Sequence, residues 1–322
     1  MAIFVTYDNQ ELQDGLGAQA LRITGIYSIA RAFGLKYFHT PIARVIEDVG
    51  QNPTTDRSQE NLLDFFNNFF KFTSSRNPKL KSRDLYVRDM SLRKLFKIIL
   101  KYKFSSRDTV VHILLPQGIL DKFPTIYKFG AHRLRKSNTD LINTSKAKEL
   151  VAHVRRGYDE KYADLKYAKS RHLPFSYFSD ILNYICTNNL VPAGSDIHIH
   201  TDLLNVPTKW TPKQNGIVEG YSKNSGTTGK TSIDLEAYDL TNEIVIPEGF
   251  PPRIHYCDPL ITTFLDMCNA RILVQGKSAL SYLAGIINCG LVIHPPQQSM
   301  SKLPRWKSAE HLNIKLRDPL LG

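Results

Sequence analysis

The chain has 322 residues, 42% of them hydrophobic and 22% charged, with 15 Tyr and 16 Phe. That is enough apolar and aromatic surface to fill two packed domains, and it excludes an intrinsically disordered protein. No stretch reaches the ~18 apolar residues that span a bilayer, and 42 basic against 30 acidic residues leave a net charge of +12, which suits an anionic partner such as a nucleotide, a nucleic acid or a phospholipid surface.

Met1 to Tyr7 reads as a strand; it is too short, and lacks the basic leader, for a signal peptide, so a cytoplasmic location is expected. The segment "DGLGAQALRITGIYSIARAFG" is a glycine-rich turn running into a helix, with Leu21, Ile26, Ile29, Ala30 and Phe33 as its apolar stripe and Gly34 as its stop. "LKYFHTPI" returns as a second strand, the opening order of a doubly wound α/β domain. A helical pattern dominates from Asn61 to Lys103. Its densest charge lies in Arg76 to Lys103, where Leu92, Leu95, Phe96, Ile99 and Leu100 form an inward stripe beneath a basic outer face. A solvated helix face is the plain reading; peripheral membrane or acceptor contact through residues 76–103 is the other. "TVVHILLP" is a buried strand, and the polar stretch Asn138 to Lys148 is the expected domain boundary.

From Glu149 a second α/β unit is predicted. "ELVAHVRRG" is a strand ending in cations, "PFSYFSDILNYICTNN" a helix, "DIHIHTD" an alternating strand and "PLITTFLDMCN" a helix. "ARILVQGKSALSYLAGIIN" is a strand, polar turn and helix, and "GLVIHP" a last strand. Alternation of this kind implies a parallel sheet with crossovers. Val206 to Thr231 reads as a long surface loop. Cys186, Cys257, Cys268 and Cys289 have no metal-ligand spacing and read as buried free thiols.

Four places carry candidate chemistry. His153, Arg155 and Arg156 stand at the carboxyl end of a predicted strand, where open α/β sheets bind ligands. A guanidinium forks two donors onto a phosphate, although surface ion pairs with Asp159 and Glu160 are the competing reading. Adjacent strand residues face opposite ways, so one arginine can aim at a ligand while the other braces the loop. Gly15 and Gly17 in "DGLGAQ" let a backbone approach an anion at a helix start, or simply make a tight turn. Asp202 ends a strand, placed to read a base or ribose hydroxyl or to cap a helix. Gly276, Lys277 and Ser278 join a cation, a hydroxyl and free amides before a helix, a diphosphate cradle. "NSGTTGKT" misses the phosphate-loop pattern because Asn224 replaces its first glycine. No two aspartates are separated by one residue, so the acidic metal-chelating pair of many sugar transferases is absent and neither metal nor cofactor is expected.

In their order, these segments resemble the α-1,2-fucosyltransferase family and, more loosely, α-1,6-fucosyltransferases. "DGLGAQALRITGIYSIARAFGLKYFHTPI" resembles that family's Gly-Leu-Gly-Asn-Gln turn, helix and strand ending in His-Thr-Pro. "HVRRG" resembles its His-x-Arg-Arg-Gly-Asp motif, and "HLPFSYFSDIL", "IHIHTD" and "ILVQGKSALSYLAGIIN" match later blocks. The similarity spans Tyr7 to Ile42 and Glu149 to Pro295. It implies a GT-B fold, α/β with two Rossmann-like domains facing a cleft: residues 1–148 on the acceptor side and 149–322 binding the donor. It further implies inverting, metal-independent transfer of fucose from GDP-fucose to a hydroxyl of a glycan or glycoconjugate. On that resemblance Arg155, with His153 beside it, holds the β-phosphate, Asp202 meets the guanosine and Ser278 the diphosphate. Asp159, Glu160 and Asp14 are the candidate general bases. Two departures, Tyr158 in place of the motif's Asp and Ala18 in place of Asn, bear on donor sugar and linkage. A hexosyl or pentosyl donor is the alternative, and a basic nucleic-acid-binding protein the rival from another class, disfavoured by the lack of any such motif.

Overall fold

The computed structural model describes residues 2–9, 15–42, 58–73, 77–79, 81–143, 147–155, 173–202, 208–210, 233–235, 239–256, 258–296 and 300–314. They form an α/β protein of two compact units. The division falls between Leu141 and Ile142, and the segment Ser299–Pro304 joins the first unit.

The first unit holds a parallel sheet of order β2-β1-β4-β3. Strand β1 (Ile3–Tyr7) is buried throughout and pairs with β4 (Thr109–Leu115) from Ile3↔Thr109 to Tyr7↔Ile113. Such unbroken apolar runs belong to central parallel strands, covered on both faces. Helix α1 (Leu16–Ala32) is not one-sided: every residue from Gln19 to Ala30 is buried. Its Thr24 and Ser28 hydroxyls donate to the carbonyls of Ala20 and Thr24, so polar groups survive burial by bonding within their own helix. Gly34 adopts φ +66°, and the Leu35 N–H donates to Ala30 O, a left-handed stop that glycine makes without strain. Strand β2 is only Lys36–Tyr37, shorter than the predicted run.

The stretch Asn61 to Lys103 is not continuously helical. Helix α2 (Ser58–Phe69) and helix α3 (Leu92–Tyr102) flank a strand, β3 (Arg83–Asp89), at the sheet's edge. Only Leu85 and Val87 of β3 are half-buried; the charges around them guard an open edge and mask the alternation. Ser91 caps α3 by accepting from the Lys94 N–H at 3.3 Å. The apolar stripe expected of α3 is split. Leu95 is buried, whereas Phe96 and Leu100 are 48% and 75% exposed. After β4 come α4 (Gln117–Leu120), a 3₁₀ turn and α5 (Lys128–Ser137). A Cβ on Gly130 would lie 2.6 Å from Ser28 Oγ, so α5 packs close against α1.

The second unit holds a parallel sheet of order β11-β10-β5-β6-β9. Its strands are β5 (Leu150–Val154), β6 (Ile197–Thr201), β9 (Pro252–Tyr256), β10 (Ile272–Val274) and β11 (Leu291–Ile293). On one face, Tyr177, Phe178, Ile181, Leu182 and Ile185 of α6 (Phe175–Thr187) pack on Leu150, Ala152, Val154, Ile197, Ile199 and Val274. Helix α7 (Leu260–Asn269) serves the other face, and α8 (Ala279–Ile287) links β10 to β11. β9 is unexpected from sequence; its first residue is Pro252, tolerated at the start of an edge strand. Inside the predicted loop, β7 (Thr208–Trp210) pairs antiparallel with β8 (Ile233–Leu235), which lies just past the loop's end; "NSGTTGKT" lies outside the described residues. Beyond β11, Lys307 N–H donates to Val292 O and its carbonyl accepts from His294 N–H. Trp306, 1% exposed, packs edge-on to Tyr282 at 4.9 Å.

Cys186 and Cys268 are buried free thiols, but Cys289 is exposed, contrary to expectation, and Cys257 lies outside the described residues. Among the described residues no helix is long and apolar enough to cross a membrane.

Candidate functional site

The strand order of the second sheet sets where a ligand can enter. From β5 the chain passes through α6 to β6 on one side; from β10 it passes through α8 to β11 on the other. Connections leaving the carboxyl ends of β5 and β10 therefore diverge, and a crevice opens at this topological switch point. His153 and Arg155 arrive there from β5, and the turn Gln275 to Ser278 from β10.

Close packing joins the two. A Cβ on Gly276 would sit 2.5 Å from the His153 carbonyl oxygen and 3.3 Å from His153 Nδ1. Only a bare backbone fits, which is the reason for glycine at this position. The turn is braced from below: buried Gln275 donates through Nε2 to Ser281 O at 2.8 Å, and its Oε1 lies 3.1 Å from His294 Nδ1. Ser281 Oγ donates to Gly276 O at 2.8 Å. Ser278 is the N-cap of α8, its Oγ accepting from the Leu280 N–H at 3.2 Å; that oxygen serves the helix, leaving the hydroxyl proton as the side chain's donor. The first-turn amides of α8 and the positive end of its dipole mark the crevice for an anion. Burial lowers the Lys277 pKa below the ordinary lysine value.

His153 is 7% exposed, and its Nδ1 has no hydrogen-bond partner among the described residues. A buried polar atom without a partner is costly. Burial first, then the charge of Arg155 and the neighbouring His200, hold its pKa down at about 3. His198 is likewise held at about 4, by burial and then Lys148. In the unfolded chain these imidazoles protonate near their ordinary value of 6.5, while the fold refuses the proton until far lower pH. Their contribution to stability is therefore complete above about pH 6.5 and is lost as pH falls toward 4, His153 alone removing roughly 3 kcal/mol by pH 4. Urea midpoints measured down this range should fall steeply, and His153→Gln should flatten the fall; an unchanged profile in that variant would contradict the assignment.

His153 heads a row that sequence reading missed. It pairs in register with His200 of β6, and His200 with His255 of β9. His200 and His255 stack at 4.3 Å, 11° from parallel. His198 Nδ1 lies 3.0 Å from His255 Nε2, and His255 Nδ1 lies 2.8 Å from Asp258 Oδ2. From α7, Thr263 Oγ1 lies 3.3 Å from His200 Nδ1, and Lys148 Nζ donates to Asp266 Oδ2 at 2.6 Å. Asp266 Oδ2 is also 3.1 Å from His200 Nε2, near in distance but poorly aligned with the ring N–H. Burial raises the Asp266 pKa, but the nearby His200 and Lys148 outweigh that and leave it lowered. His200, His255 and Asp258 place donor atoms within 4.8 Å of one another, and these are ligand types of transition metals. Parallel stacked rings, however, send their in-plane lone pairs side by side rather than to one point, and Lys148 adds a cation nearby. The motifs "IHIH" and "IHY" carry the signal, but it appears only once β9 is placed beside β6.

The predicted residues thus divide. His153 and Arg155 lie at the carboxyl end of β5 and Gly276, Lys277 and Ser278 just past the neighbouring β10, with Gly276 packed against His153. Asp202 stands half-buried just past the carboxyl end of β6, the neighbouring strand. Gly15 and Gly17 belong to the first unit; Gly15 is the N-cap of α1 at φ −58°, ψ 152°, a conformation open to any residue. Asp14, Arg156, Tyr158, Asp159 and Glu160 lie outside the described residues.

No protein-family profile and no curated protein matches the chain. Solved structures that align with it include an Arabidopsis thaliana FUT1 mutant in complex with GDP, with 11% identity, 90% of this chain and 70% of that chain covered, and a TM-score of 0.37. E. coli heptosyltransferase WaaC with ADP aligns at 10% identity, covering 96% and 92%, with a TM-score of 0.35. POFUT1 in complex with GDP-fucose aligns at 9% identity, covering 95% and 97%, with a TM-score of 0.39.

Proposed function

We propose that the chain is a glycosyltransferase of the GT-B type that takes a nucleoside diphosphate sugar at the β5–β10 crevice, with GDP-fucose as donor and a glycan or glycoconjugate hydroxyl as acceptor. One observation supports this reading: at the switch point the backbone of Gly276, just before the start of α8, packs against the buried His153, whose Nδ1 has no hydrogen-bond partner among the described residues, and Arg155 follows directly beyond β5. The motif resemblance then supplies the sugar and the base.

In this reading Arg155 forks onto the β-phosphate and neutralises charge as the nucleoside diphosphate departs. Neutral His153, in the tautomer with its proton on Nδ1, donates to the same group. Lys277 and the α8 amides flank it, and Asp202 accepts from the ribose or base. The acceptor oxygen attacks the anomeric carbon from the opposite side, its proton passing to a carboxylate; the bond to the diphosphate oxygen breaks, and configuration inverts. Asp14, Asp159 and Glu160 are the carboxylates proposed for that proton. In this reading no step uses a metal, so chelation by EDTA should leave turnover unchanged.

A thermal-shift screen against GDP, UDP, ADP and their sugars tests the donor, because a ligand of the folded state stabilises it by about 2.7 kcal/mol at one hundred times its Kd. GDP and GDP-fucose should raise the melting temperature most. A rise with UDP or ADP alone would overturn the guanosine assignment while keeping the crevice; no rise with any nucleotide would overturn both.

A further inference from the structure

A second surface, in the first unit, goes beyond this donor chemistry. Helix α3 turns large apolar side chains to solvent: Phe96 is 48% exposed, Leu100 75%, and Phe104, just past the helix, 89%. Phe96 and Leu100 are four residues apart and share one edge of the helix, and Phe104 follows in the turn just past its end. Single exposed apolar residues are ordinary, but a contiguous row is a mark of an interaction site. Arg93, Lys97, Lys101 and Lys103 are exposed among them, and no acidic residue occurs between Asp89 and Asp108. Lys103 Nζ stands 5.7 Å from the centre of the Phe104 ring, so cation and aromatic present together. On the inner side, Leu95 alone of the helix is fully buried.

From this juxtaposition we propose that the outer face of α3 docks on the surface of an anionic lipid bilayer, Leu100 and Phe104 entering the headgroup–acyl boundary while the cations meet lipid phosphates and carboxylates. Charge complementarity selects the occupant's sign, and the aliphatic Leu100 at the centre of the row selects lipid over nucleic acid. Polynucleotides reward cations and stacking rings but gain nothing from an isobutyl group. The helix lies on the bilayer rather than through it, consistent with its eleven residues, Leu92–Tyr102.

The test is co-sedimentation of the full chain with vesicles of phosphatidylserine and phosphatidylcholine, against phosphatidylcholine alone. Binding should require phosphatidylserine and weaken with salt. The variant Leu100→Ser/Phe104→Ser should lose about tenfold or more in partition, and Lys97→Glu/Lys101→Glu at least about 25-fold, near fivefold per cation. Both pairs are exposed, so melting temperatures and the nucleotide-induced shift should match the unaltered chain, separating this surface from the donor crevice. The proposal falls if the chain stays in the supernatant with phosphatidylserine vesicles. It falls equally if Leu100→Ser/Phe104→Ser binds them as the parent does, or if single-stranded RNA outcompetes the vesicles for α3.

Discussion

Replacing Arg155 by alanine is expected to lower transfer from GDP-fucose by about 100-fold or more, the usual loss when one preorganised donor to a developing anion is removed. Arg155 is half-exposed, just beyond β5, so the melting temperature should change little. Arg155→Lys should recover only part of the rate, since an ammonium keeps the charge but not the two-pronged geometry. The same change has a second readout. Arg155 is the second-ranked cause, after burial, holding the His153 pKa down; without the guanidinium that imidazole should protonate at higher pH, and the acid-unfolding midpoint of Arg155→Ala should shift with it. Unaltered turnover in Arg155→Ala would remove this arginine from the mechanism.

Gly276→Ala is expected to be as damaging by a different route. The added methyl would need to occupy a point 2.5 Å from the His153 carbonyl oxygen, closer than real Cβ atoms come to anything. The obstacle is backbone in a paired strand, and it cannot swing aside like a side-chain tip. Nor can the turn retreat easily, with Gln275 and Ser281 bonded beneath it. Overpacking of this kind costs roughly 1–3 kcal/mol, occasionally more, and the displaced turn would carry Lys277 and the start of α8 out of position. Urea denaturation should show the destabilisation, and calorimetry should show weakened or absent nucleotide binding. Parental stability and affinity in Gly276→Ala would mean that the β5–β10 contact is looser than described.

The same crevice was legible from residues because its signals are local. Apolar runs in "ELVAHV" and "ARILV" mark central strands, and the residues at or just beyond their ends, His153 to Arg155 and Gly276 to Ser278, necessarily fall at carboxyl ends. The edge strands β3 and β9 gave no such signal. In β3 the half-buried Leu85 and Val87 are outnumbered by charge, and β9 begins at Pro252, which reads as punctuation. Losing β9 hid the histidine row, because that row exists only through register across three strands and no sequence period encodes it. Helix α3 misled for another reason. Periodicity shows that Leu95, Phe96, Ile99 and Leu100 share a side, but not how far the core reaches around the helix, and the core takes Leu95 while releasing Phe96 and Leu100. The burial of α1 on nearly all sides was invisible in the same way, since Thr24, Ser28 and Gly130 look like surface residues until α5 is set against them.

The bridge from Ile293 to Lys307, with Trp306 lodged against Tyr282, has a bearing on biosynthesis. The flank of β11 is closed by chain made after every strand and long helix of its unit. A nascent polypeptide therefore presents its strands able to pair but one side still uncovered, and that side stays open to chaperones and proteases until Lys307 has left the ribosome. Any delay in the emergence of Lys307 would prolong exposure of the half-built sheet.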